Sequence, residues 1–587
     1  MSNIKFDTLP CVEVKGDFQV HQGWTEIGEQ ILYSISKSNK NSQNIAIEYY
    51  QGVLAEETTL ALVNQLKPNQ VINTADLMWS EEKIKTMVYS DVTDDRIFGY
   101  LTRLTIDAYF DPEKVNEARI NIENNQNGLV LIIGSGAAYV CNRPDLMIYA
   151  DMARWEIQLR MRKHEVDNLG LKNRKTEDWM LLYKQGYFVD WRVLDRWKKK
   201  LMLQTDYLLD TNNRNNPKLI SNAGIIAGYN KALSRPFSVV PFFDPGPWGG
   251  QWMKKYCNLE PSEKNYAWCF NCVPEENSLL LKFGDIVVEI PSINLVFYKP
   301  QELMGAAVHG RFGDEFPIRF DFLDTIEGGN LSLQVHPLTE YIQEKFGMHY
   351  TQDESYYMLQ AVPGAKVYLG FKEGVNPTEM MNDLELAQQG GNPFDAEKHV
   401  AVWPVKTHDH FLIPAGTVHC SGAGSMVLEI SATPYIFTFK MWDWERLGID
   451  GKPRAINIEH AKNNIQWDRT TEWTRKNLVN AIEIIAEGDG WTEERTGLHE
   501  REFIETRRYW FTKKVKMNTE NGVHVICLVE GDEILVESPN NAFDPFEVHY
   551  AETFIVPAGV GEYTMKPHGT SVGIKCATML GFVRKNA

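Results

Sequence analysis

The stretch Leu331-Ser-Leu-Gln-Val-His-Pro337, followed by Asp353-Glu354 and then by Pro414-Ala-Gly-Thr-Val-His419, constrains this chain more than any other. Side chains alternate between the faces of a β-strand, so Gln334 and His336, two apart, point the same way. A glutamate in the next apolar-rich segment and a histidine just past a Pro-x-Gly turn can converge on them. Gln334, His336, Glu354 and His419 form a mixed N/O donor set that suits a divalent metal, zinc first. A strand framework that brings four distant segments to one point is therefore the first requirement on the fold.

The remaining composition narrows the class. A chain of 587 residues is too long for one core, so two or three domains are expected. The formal net charge of −18 argues against a general nucleic-acid partner, but a local basic pocket could still hold a small phosphorylated molecule. No apolar run approaches a membrane span, and the N-terminus lacks an apolar secretion core. Eight scattered cysteines fit a reduced, cytoplasmic protein. The close pair Cys269 and Cys272 has no second pair to complete a zinc ribbon and reads as buried thiols in a strand.

The texture changes along the chain. The first ~230 residues show helical periodicity over 56–66, 96–108 and 149–162. The run Leu129-Val-Leu-Ile-Ile133 reads as a parallel strand buried on both faces, and a second strand is expected over 145–150. Alternating strands and helices predict an α/β layer domain over 1–232. From about Pro241, short apolar runs (286–290, 365–370, 411–414, 426–430) are punctuated by Gly, Pro and Asn, which predicts an antiparallel sandwich or barrel with a helical interlude over 377–389. Strands return at 523–529, 533–537 and 553–557. Pro557-Ala-Gly559 echoes Pro414-Ala-Gly416 but runs into Gly561 without a histidine. The expected organisation is thus an α+β multidomain chain: an α/β domain over 1–232, a metal-binding β-barrel domain over 233–480, and a β domain without metal over 481–587.

From Pro241 onward the chain resembles the class I mannose-6-phosphate isomerases, zinc enzymes of the cupin fold. The resemblance rests on seven landmarks in the family's order: Pro247-Trp-Gly-Gly250; Phe316-Pro-Ile-Arg-Phe-Asp-Phe-Leu-Asp324 with Leu331–Pro337; Asp353-Glu-Ser-Tyr-Tyr-Met-Leu359; Pro363-Gly-Ala-Lys-Val-Tyr-Leu-Gly-Phe371; Ile413-Pro-Ala-Gly-Thr-Val-His419; Val427-Leu-Glu-Ile430; and Thr438-Phe-Lys-Met-Trp-Asp-Trp-Glu-Arg446. It implies a cupin β-barrel (jelly-roll) isomerase core, one Zn2+ per chain on Gln334, His336, Glu354 and His419, and a sugar or sugar phosphate as substrate. It also implies Glu429 as the candidate base for the aldose–ketose proton transfer and Lys440 as the cation that stabilises the oxyanion. The alternative role of Glu429 is a structural carboxylate paired with Lys440 or Arg446.

Two positions depart from the family pattern. Lys440 stands where an arginine is usual, keeping the charge but losing the planar two-pronged donor. Gln352 stands where a lysine is usual. His408 and His410 are expected in an exposed loop or around the ligands. These departures keep a second reading open, a non-catalytic metal-binding cupin that binds or senses a sugar. The oligomeric state is not legible.

The N-terminal part resembles P-loop kinases of the uridine-kinase type, with a phosphate loop that has lost its pattern. In G-x-x-x-x-G-K-[ST] the two glycine positions fall on Gln51 and Glu56, the lysine on Glu57, and only Thr58 is kept. Two carboxylates would repel phosphates, so a degenerate, structural or regulatory domain is expected. Gly134-Ser-Gly136-Ala-Ala-Tyr139 is not a dinucleotide fingerprint, because tyrosine occupies the third glycine position.

Overall fold

The computed structural model describes residues 6–584 except 39, 391, 433, 434, 436, 448–455, 498 and 500. In the N-terminal part, Gly128–Gly134 is buried along nearly its whole length, as its unbroken apolar run requires. It lies in a seven-stranded sheet in the order Val20–Gln22, Lys218–Ser221, Tyr207–Asp210, Leu146–Asp151, Ser42–Tyr49, Gly128–Gly134, Gln70–Asn73. The last five of these strands are parallel, and the first two run antiparallel to their neighbours. The helices Ala55–Leu66 and Arg154–Arg162 fall within or close to their expected spans.

The helix expected over 96–108 does not form. Only a short 3-10 turn, Ile106–Tyr109, appears there. The backbone donors of this segment find partners elsewhere: Leu101 N–H donates to the Phe346 carbonyl and Thr102 N–H to the Phe188 carbonyl, both at 3.0 Å. The Asp95 carboxylate captures the N–H groups of Ile97 and Phe98 at 2.7 and 2.8 Å. An apolar periodicity cannot hold a helix whose donors are spent on tertiary contacts.

The C-terminal part is two antiparallel sandwiches. In the first, a six-stranded sheet runs His410–Ile413, Glu354–Ala361, Ser425–Ser431, Arg319–Asp324, Trp268–Cys272, Phe242–Asp244. Its partner sheet runs Val400–Pro404, Lys366–Phe371, His419–Ser421, Leu333–Val335, Phe439–Trp442. The second sandwich repeats this arrangement. Thr553–Val556, His524–Glu530, Cys576–Val583 and Ile504–Phe511 correspond to the first four strands of the larger sheet. Phe546–His549, Glu533–Glu537, Glu562–Pro567 and Val515–Asn518 correspond to the first four of the smaller one. The paired sheets fit the cupin-like core that was expected.

Two expectations are corrected here. The run 286–290 is not a barrel strand: Ile286–Pro291 joins Ser278–Phe283 and, in parallel with the latter, the distant Cys11–Glu13 in a separate three-stranded sheet. His410 is not in an exposed loop. It opens the buried strand His410–Ile413, its Nδ1 lies 3.0 Å from the Thr496 carbonyl of the second sandwich, and burial pushes its pKa down to about 3. Cys269 and Cys272 lie buried in Trp268–Cys272, where burial raises both thiols well above their usual range.

Candidate metal centre

The short strand Leu333–Val335 carries Gln334, and His336 follows it on the same face. Gln334 stands opposite His419 on one side and opposite Lys440 on the other. Glu354 heads the strand Glu354–Ala361 in the facing sheet. The turn before His419 depends on Gly416, at φ +84°, where a Cβ would lie 2.7 Å from the Asn464 carbonyl oxygen. Each of these local structures delivers one side chain to a common point.

The side chains meet there. Nε2 of His419 lies 2.8 Å from Oε1 of Glu354, and Nε2 of His336 lies 3.1 Å from its Oε2. Nε2 of Gln334 is 3.2 Å from Nε2 of His419, and rotating the amide by half a turn presents Oε1 to the same point. The Nδ1 atoms face backbone carbonyls, His336 on Phe437 and His419 on Thr417, both at 2.8 Å. Both rings are thereby fixed with Nε2 as the free lone pair, which is how a ligating imidazole is oriented.

The donor set fits a metal ion. His336, Glu354 and His419 offer ligand atoms within 4.8 Å of one another and are buried. Nε2 of His336 and Oε1 of Glu354 are cut off from solvent and make no well-aligned hydrogen bond, only the close Nε2–carboxylate approaches above, which suits donor atoms that share a cation. Two imidazoles, a carboxylate and an amide oxygen match zinc or a similar divalent ion. Among the described residues one other such group, Glu533, Glu547 and His549, lies close together, and it is partly exposed.

Around these four lies a buried polar shell. Gln352 donates from Nε2 to Oε2 of Glu354 at 2.9 Å and accepts the N–H of Phe437 at 3.2 Å. It therefore serves the ligands directly. Burial alone would raise the Glu354 carboxyl, but the adjacent imidazoles, His336 first and then His419, hold it well below the usual carboxylate range. The His336 imidazole is shifted the other way: burial lowers it, and Glu354 raises it by more.

Glu429 stands between Asp321 and Tyr356 in strand register. Burial first, then Asp321 and Glu354, push its carboxyl well above the usual range. Its cationic neighbour is Arg319, which also lies 3.3 Å from Asp321. Arg446 instead holds Asp443 at 2.8 Å and the Asn330 carbonyl. Lys440 is half-buried beside Gln334, and its carbonyl accepts the Asn457 N–H at 2.8 Å.

Arg319, Asp321 and the bridging role of Gln352 were not anticipated. A signal for the first two existed: Arg319 and Asp321 are two apart in Phe316-Pro-Ile-Arg-Phe-Asp-Phe, so they put two charges on one face of an apolar strand. Burying both is tolerable only beside partners such as Glu429.

The sequence 51–58 lies where strand Ser42–Tyr49 turns into helix Ala55–Leu66, at the carboxyl end of a central parallel strand. Its two carboxylates are paired. Glu56 meets Arg174 at 3.0 Å, and Glu57 meets Arg214 at 2.6 Å. Gln51 donates to Asp190 at 2.9 Å.

Comparison with known proteins finds two kinds of similarity. Residues 23–234 match the family model described as a domain of unknown function (DUF8485). The mannose-6-phosphate isomerase ManA of Bacillus subtilis is 22% identical over 345 residues, 58% of this chain and 98% of that protein. The chain is thus similar to mannose-6-phosphate isomerases over more than half its length. The mannose-6-phosphate isomerase of Streptococcus mutans is 28% identical over 216 residues, 36% of this chain and 62% of that protein. A solved mannose 6-phosphate isomerase from Bacillus subtilis aligns with 19% identity and a TM-score of 0.48, covering 59% of this chain and 99% of that one. Among the described residues no helix is long and apolar enough to cross a membrane.

Proposed function

We propose that the chain is a zinc-dependent aldose–ketose isomerase acting on mannose 6-phosphate and fructose 6-phosphate or a related sugar or sugar phosphate. The observation that carries this reading is the buried cluster of His336, Glu354 and His419 with Gln334 beside it, in a chain similar to mannose-6-phosphate isomerases. These four residues would hold the ion, one per chain, and zinc there would supply Lewis-acid polarisation of the sugar's carbonyl.

The protein's own groups would move the proton. Isomerisation takes a proton from the carbon next to the carbonyl and returns it to the former carbonyl carbon, through an enediol. Glu429 is the proposed base, held among Asp321, Arg319 and Glu354. Lys440, across the strand from Gln334, is the proposed cation that meets the oxyanion as charge develops. The N-terminal domain is proposed to be non-catalytic, because Glu56 and Glu57 already occupy Arg174 and Arg214. A cytoplasmic location accords with the free cysteines.

A second reading, a metal-holding sugar sensor without turnover, draws on Lys440 in place of the usual arginine. One assay separates the two: interconversion of mannose 6-phosphate and fructose 6-phosphate by zinc-loaded protein. Turnover is expected, and it is expected to disappear together with the metal in His419→Ala. Bound zinc with no turnover on any hexose or hexose phosphate would select the sensor.

A further inference from the structure

Phe437 stands between the candidate metal centre and the N-terminal domain. Its carbonyl accepts from Nδ1 of His336 at 2.8 Å. Its N–H donates at 3.2 Å to Oε1 of Gln352, which donates at 2.9 Å to Glu354. The backbone of one residue thus orients two of the four proposed ligands.

The ring of Phe437 is fully buried, and much of what covers it comes from the N-terminal domain. Phe98 stacks on it at 5.7 Å with the planes 12° apart, and Phe188 meets it edge-on at 6.3 Å. Phe98 also lies against Phe346, at the end of the helix Thr339–Phe346, and Phe439 of the first sandwich, with ring centroids 5.1 and 5.4 Å away. The loop that presents Phe98 is held at both ends. Asp95 accepts from the Ile97 and Phe98 N–H groups and faces Nε2 of His460 at 3.1 Å, and Lys184 donates to the carbonyls of Thr93 and Asp95. Beyond it, Leu101 N–H reaches the Phe346 carbonyl.

Nearby, Tyr435 packs on Tyr187 at 4.3 Å and Phe188 at 5.0 Å, and its hydroxyl donates to the Ile97 carbonyl at 3.0 Å. On the Arg319 side, Gln158 and Tyr183 of the N-terminal domain each donate to Glu276 at 3.2 Å. Close-packed interiors transmit strain rather than absorb it, so displacing Phe98 displaces Phe437, the ring it stacks on.

We propose that the N-terminal domain works as a clamp on the metal centre: Phe98 and Phe188 fix Phe437, and Phe437 fixes His336 and Glu354. This assigns positioning roles to Phe98 and Phe437 and gives the domain of unknown function a task that needs no nucleotide. The proposal rests on the metal reading above.

The test uses the full chain and zinc itself. Zinc affinity is measured by competition with a chromophoric chelator for wild type, Phe98→Ala and Phe98→Leu. Losing an outer contact to a ligand typically weakens metal binding about 10- to 100-fold, and that is the loss expected for Phe98→Ala, with Phe98→Leu within about threefold of wild type. The d–d spectrum of cobalt-substituted Phe98→Ala is expected to shift as well. If Phe98→Ala does not fold, Asp95→Ala loosens the same loop without opening a cavity, and a loss of about 3- to 10-fold is expected. A variant that melts earlier but keeps wild-type zinc affinity and an unchanged cobalt spectrum would overturn the clamp. Wild-type protein that takes up no zinc would instead overturn the metal reading.

Discussion

In the first sandwich, Leu333–Val335 and His419–Ser421 bring Gln334 opposite His419; in the second, the matching strands Val515–Asn518 and Glu562–Pro567 bring Met517 opposite Tyr563. Glu354 faces Ile413 just before Pro414, and His524 faces Val556 just before Pro557. His524 therefore occupies the place of Glu354, and its Nδ1 lies 2.8 Å from the Tyr563 hydroxyl. The first sandwich closes a buried cluster of candidate ligand atoms, whereas the second opens a cavity of about 1580 Å³ whose walls include Trp491, Tyr509, His524 and Tyr563. One strand plan thus carries two different interiors. The proposed chemistry rests on four side chains, and the fold only makes their meeting possible.

The comparison breaks most sharply at the ligands. Glu354→Ala removes the carboxylate that faces both imidazoles, and loss of all bound zinc and all isomerase activity is expected, read by elemental analysis and by the coupled sugar-phosphate assay. Next is the junction of the sandwiches. His410 is buried with its pKa near 3, below the ordinary 6.5, so the folded protein binds fewer protons there than the unfolded chain. Its contribution is present above pH 6.5, declines as pH falls, and is gone below about 3, on the order of 5 kcal/mol in all. His410→Asn, whose amide donates to the same Thr496 carbonyl, is expected to flatten the fall of unfolding free energy between pH 6.5 and 4 in urea titrations.

A smaller effect is expected at Lys440. Removing one positioned cation or donor from a developing oxyanion costs about 10²-fold in kcat, so Lys440→Met should lose about that much while keeping its zinc. The smallest effect belongs to the second interior. His524→Ala should leave zinc content and kcat unchanged and cost about 1 kcal/mol through the lost Tyr563 hydrogen bond, visible as a small drop in Tm.

Much of the candidate site was legible, in that the sequence marks which side chains meet, because that information is local. Gln334 and His336 share a face by the strand's period of two, and Pro414-Ala-Gly416 announces the turn before His419. Arg319 and Asp321 escaped notice because their meaning depends on register with Glu429, more than a hundred residues away. The pairing of Cys11–Glu13 with Ser278–Phe283 is non-local in the same way. The segment 96–108 shows the opposite failure: a local apolar rhythm was present, but Leu101 and Thr102 gave their N–H groups to Phe346 and Phe188. His410 looked exposed beside Thr407 and Asp409, yet it heads an edge strand of the first sandwich pressed against the second.

The most direct measurement is the zinc content of purified full-length protein and of Glu354→Ala and His524→Ala by elemental analysis. About one zinc per chain in wild type and in His524→Ala, with none in Glu354→Ala, is the expected result. Zinc retained by Glu354→Ala, or lost from His524→Ala, would contradict a metal centre in the first sandwich.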